Sequence, residues 1–153
     1  MKPLERGQLK NWSEYLEFEE NQCKKDQDFE RLAVLFERCL IACALYEEFW
    51  TKYVNWLLRS ASHGNENVDE KARDVYYRAC TFHLPEKVEI HLSWAAFEEQ
   101  KGQFEKAQDI LKNLAGKHPE LMSVNLRRIN LERRAGNNEQ VCSFHIFSSR
   151  SEI

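Results

Sequence analysis

With 153 residues, 31% charged and 42% hydrophobic, the chain is long enough for one domain with a real core. Its formal charge of −3 excludes the strongly basic balance of a dedicated nucleic-acid binder. No apolar run approaches the roughly 20 residues of a membrane-spanning helix, and the opening Met-Lys-Pro-Leu-Glu-Arg lacks the apolar core of a signal peptide.

Residues 1–7 carry no periodicity and read as a lead-in. From about Gln8 to Asn21, Leu9, Trp12, Tyr15, Leu16 and Phe18 recur at helical spacing. A polar run, Asn21 to Asp26, then predicts a break, with Asp26 as the cap of the next helix. That helix, about 27–43, carries Phe29, Leu32, Phe36, Cys39, Leu40 and Cys43. A second aromatic helix, about 46–60, carries Phe49, Trp50, Tyr53, Trp56 and Leu57, and residues 60–66 read as a loop.

Asn67-Val-Asp-Glu70 matches a capping box and opens a helix over 68–83 with Ala72, Val75, Tyr76 and Cys80. Pro85 is expected in the first turn of the next helix, about 86–101, which holds His91, Trp94 and Phe97 and ends at a Gly102 cap. A helix over 103–115 stops at Gly116, and Pro119 starts a last one that closes at Gly136. The tail, 137–153, opens with a capping-box pattern but then loses helical periodicity, so an irregular end is expected.

One stretch recurs through this order. Trp12-Ser-Glu-Tyr15-Leu-Glu-Phe18-Glu19 returns as Trp50-Thr-Lys-Tyr53-Val-Asn-Trp56, as His91-Leu-Ser-Trp94-Ala-Ala-Phe97-Glu98, and in worn form as Asn125-Leu-Arg-Arg128-Ile-Asn-Leu131-Glu132. Spacings of 38, 41 and 34 residues between Phe18, Trp56, Phe97 and Leu131 are those of stacked repeats. The expected fold is all-α: an α-solenoid of antiparallel helix pairs, about three and a half repeats over 8–43, 46–83, 86–116 and a partial 119–136. Trp12, Tyr15, Phe18, Phe36, Trp50, Tyr53, Trp56, Tyr76, Trp94 and Phe97 are its expected core.

The second helix of each pair has its own pattern: Leu32-Ala-Val-Leu-Phe36-Glu-Arg38, Ala72-Arg-Asp-Val-Tyr76-Tyr-Arg78 and Ala107-Gln-Asp-Ile-Leu111-Lys. Over about residues 8–136 the joint pattern resembles the half-a-TPR, or HAT, repeat family of RNA-processing proteins, and its wording is similar to the splicing members. Leu45 stands where the pattern has proline, and His91 where Trp12 and Trp50 stand. The resemblance implies a nuclear, non-catalytic scaffold in pre-mRNA splicing. It would meet proteins of the U1 small nuclear ribonucleoprotein at 5′ splice-site recognition, with self-association or pairing with a related HAT protein also open. Without the resemblance, a TPR-like peptide-binding adaptor is the best reading.

Four groups of residues bear on chemistry or contact. The recurring Glu19, Glu98 and Glu132 suit a structural bond to a neighbouring backbone or to an arginine such as Arg38 or Arg78, not acid–base catalysis, because no nucleophile or base accompanies them. The histidines have no metal-ligand spacing, although His83 and His91 flank Pro85 and read as a polar bridge. Five cysteines (Cys23, Cys39, Cys43, Cys80 and Cys142) without a Cys-x-x-Cys motif fit reduced thiols, and no cofactor or metal is expected. Lys117, Arg127, Arg128, Arg133 and Arg134 are a local basic bias. They mark the candidate contact for an acidic protein segment or, indirectly or weakly, for RNA.

Overall fold

The structure, a computed structural model, describes residues 4–26, 28–60 and 67–136. The 61–66 stretch and the 137–153 tail, including Cys142, lie outside them. Seven helices follow in order: α1 (Arg6–Asp26), α2 (Phe29–Cys43), α3 (Glu47–Ser60), α4 (Val68–Arg78), α5 (Val88–Gln100), α6 (Phe104–Lys117) and α7 (Met122–Arg134). No strand occurs among the described residues. The chain forms two compact units, Met1–Ile90 and His91–Ile153.

In the first unit α1 packs on α2, α2 on α3, and α3 on α4. Its centre is an aromatic stack in which the Phe36 ring lies 4.9 Å from Tyr53 and 5.3 Å from Trp56. Phe36, Trp50, Tyr53, Trp56 and Tyr76 are all buried. Trp50 spends its one donor inside the core, its indole Nε1 donating to the Ala44 carbonyl at 2.9 Å. Leu45 follows that carbonyl where the repeat pattern has proline, and Tyr46 N–H bonds to the Cys43 carbonyl at 3.0 Å. In the second unit Ala95, Ala107, Ile110, Leu111 and Leu131 form the core, with Leu92 and Trp94 packed at its edge.

On α1 the expected core is corrected. Tyr15 is 47% and Phe18 58% exposed, Trp12 is half-buried, and the buried positions are Leu16, Glu19 and Cys23. A helix stripe wide enough for two neighbours is used on one side only, because α1 is packed chiefly against α2.

Several boundaries also move. α1 starts inside the expected lead-in and runs through the expected polar break, so the cap of α2 is Asp28 rather than Asp26. Its carboxylate accepts the Arg31 N–H at 3.1 Å. Asn67 precedes α4 without a side-chain cap bond, so the expected capping box is not formed by its own side chain. After Arg78 the chain continues as a π-helical turn, Ala79–His83, closed by Leu84 N–H to the Ala79 carbonyl at 2.7 Å. The His83 ring lies 5.2 Å from that of Trp50, tilted against it by 30°.

Both helix-starting prolines act as stops. A residue before proline is pushed out of the α region. Leu84 (φ −130°, ψ 47°) and His118 (φ −129°, ψ 65°) leave the helix accordingly. Each proline sits in a turn, and the next helix begins three residues on, at Val88 and Met122. α6 passes through Gly116 to Lys117 rather than stopping at it. Gly102 and Gly136 do end helices, at φ 74° and 80°.

Candidate functional site

The motif glutamates are the first feature that packing selects. Glu19, Glu98 and Glu132 are 9%, 1% and 3% exposed, levels a carboxylate reaches only when bonded. Glu19 pairs with Arg31 from the first turns of α2, not with Arg38 or Arg78. Glu98 accepts the Trp94 indole N–H at 3.3 Å, and Glu132 faces Arg128, one turn earlier on α7, at 3.5 Å. These are structural bonds within and between neighbouring helices.

Arg78 has a different partner, one that lies 41 residues away in sequence. From α4 its two terminal nitrogens donate to both Glu37 oxygens of α2, at 2.9 and 2.8 Å, while its Nε lies 2.8 Å from Asp74. Its guanidinium sits 5.9 Å from the centre of the Trp50 ring. The Arg78 hydrogen bonds hold the Glu37 carboxyl below its ordinary range, and Glu37 in turn raises Arg78. Burial, then the Glu37 charge, pushes the Tyr53 phenol up, and burial pushes Tyr76 up to about 12. The result is an α2–α3–α4 clamp over the aromatic stack. Lys52 similarly ties α3 to α1, donating to Ser13 Oγ at 2.8 Å and Glu17 at 3.1 Å.

The cysteines contribute packing. Cys23, Cys39, Cys43 and Cys80 are buried free thiols, and burial pushes Cys39 and Cys43 up, away from the reactive thiolate. Among the described residues, no group of three or more His, Cys, Asp or Glu could hold a metal ion.

The basic residues of the second unit divide into two kinds. Arg134 forks onto Glu99 with contacts of 2.5 and 3.0 Å, and Arg128 is spent on Glu132. Arg127 and Arg133 are exposed and make no ion pair among the described residues. Lys117, in the last turn of α6, is exposed. The five therefore do not form one cationic surface. Two are neutralised by carboxylates of the same unit.

Sequence reasoning named Arg78 and the recurring glutamates but missed Glu37, whose only sequence signal is its place beside Arg38 on the repeating second-helix pattern.

The described residues thus hold helix pairs joined by an aromatic core and by cross-helix ion pairs. The family described as PRP39 C-terminal HAT repeat matches residues 1–134. The chain belongs to this family. As a HAT-repeat chain it is all-α and of the α-solenoid class, as its repeat spacing led us to expect. Pre-mRNA-processing factor 39 of Homo sapiens is 51% identical to it over 140 residues, 92% of this chain and 19% of the relative. The Xenopus laevis protein of the same name is 54% identical over 137 residues, 90% of this chain and 20% of the relative. The Schizosaccharomyces pombe protein is 36% identical over 146 residues, 95% and 22%. This HAT segment thus spans about a fifth of the length of the relatives it matches.

Proposed function

We propose that the chain is a non-catalytic HAT scaffold of the nuclear pre-mRNA splicing machinery, and that it contacts proteins of the U1 small nuclear ribonucleoprotein at 5′ splice-site recognition. The observation that carries the reading is the family match across residues 1–134, with relatives named for pre-mRNA processing. The chemistry of the chain agrees with a scaffold. Its motif carboxylates are buried in structural bonds and the aromatics Phe36, Trp50, Tyr53, Trp56 and Tyr76 are packed in the core, so binding falls to the outer helix faces, where Tyr15 and Phe18 of α1 are exposed. Protein contact is favoured over RNA contact because Arg128 and Arg134, two of the five basic candidates, already answer Glu132 and Glu99.

The test is affinity purification of the tagged chain, and of a full-length relative containing the segment, from nuclear extract. Recovery of U1-particle proteins that survives nuclease treatment is expected. Recovery of none by either protein would overturn the splicing reading, and recovery lost on nuclease treatment would transfer the contact to RNA.

A further inference from the structure

We draw no further inference here: the strongest candidate, the outward face of α7 at Met122 and Leu126, is an apolar face unpartnered among the described residues, and nothing in the structure shows what covers it.

Discussion

Phe18 and Trp56 hold the same place in the repeated motif, yet Phe18 is 58% exposed and Trp56 only 7%. The residue type is not the cause, because both are large aromatics with similar gains from burial. What differs is the neighbourhood: α3 is packed by α2 on one side and α4 on the other, whereas α1 is packed chiefly by α2. A single-sequence pattern reports that a position faces some neighbour, and it does not report how many neighbours the helix has. The aromatic stack was legible for that reason in α3 and misread in α1. Trp50→Ala, at a site 1% exposed, is expected to cost about 3–5 kcal/mol. Phe18→Ala is expected to stay within about 0.5 kcal/mol. Urea unfolding of both variants checks the contrast, and equal losses would show that Phe18 is buried in solution.

Glu37 is the residue that no motif announced, since an ion pair between positions 41 apart needs the hairpins folded before it exists. Its carboxyl lies below the ordinary value of 4.5 because Arg78 donates to it, so the folded state holds fewer protons there than the unfolded chain. The stabilisation is therefore complete above the ordinary value and is lost as pH falls through the lowered one. With side chains 41% and 31% exposed, the pair is discounted to about 1 kcal/mol or less. Glu37→Gln is expected to lower stability at pH 7 and to flatten the acid limb of a stability-against-pH curve. An acid limb of unchanged slope would mean that other carboxylates carry the effect.

At the scale of helices, periodicity was clearest in α2, α3, α4 and α6, where apolar residues recur on one buried face, whereas the buried side of α5 includes the polar His91 and Glu98. Their ends were less legible, since caps and stops are set by competition between nearby groups. Asp26 and Asp28 are both suitable caps by type, and only the turn geometry chooses Asp28. Pro85 and Pro119 fit either side of a helix boundary, and the strain that each places on its preceding residue decides the matter. Gly102 is the clearest stop. At φ 74° the Gln103 N–H reaches back to the Glu98 carbonyl at 2.8 Å, closing the helix end six residues to one. An added Cβ there would meet nothing within 4 Å, so any cost of substitution comes from backbone conformation alone. Gly102→Ala is expected to lose about 1 kcal/mol and Gly102→Asn clearly less, by thermal unfolding. A neutral alanine would mean that the left-handed turn is not held in solution.

For the molecule as a whole, composition and fold both bear on the proposed choice of protein over RNA as partner. A formal charge of −3 leaves little long-range attraction for a polyanion, and the local basic bias is reduced further by the Arg128–Glu132 and Arg134–Glu99 pairs. Arg127 and Arg133 are the exposed α7 arginines without an ion pair among the described residues, so they supply at most two phosphate contacts. Each contact to single-stranded nucleic acid contributes about 0.7 to the fall of log K with log salt concentration, which limits the slope from these two arginines to about 1.4. Titration of labelled single-stranded RNA across salt concentrations is expected to give weak binding with a slope no steeper than that. Arg127→Glu together with Arg133→Glu should remove the slope while leaving capture of protein partners from nuclease-treated extract unchanged. A slope of about 4 or more would require several further cations to act together on RNA, and would overturn the proposal that this surface serves chiefly to dock protein.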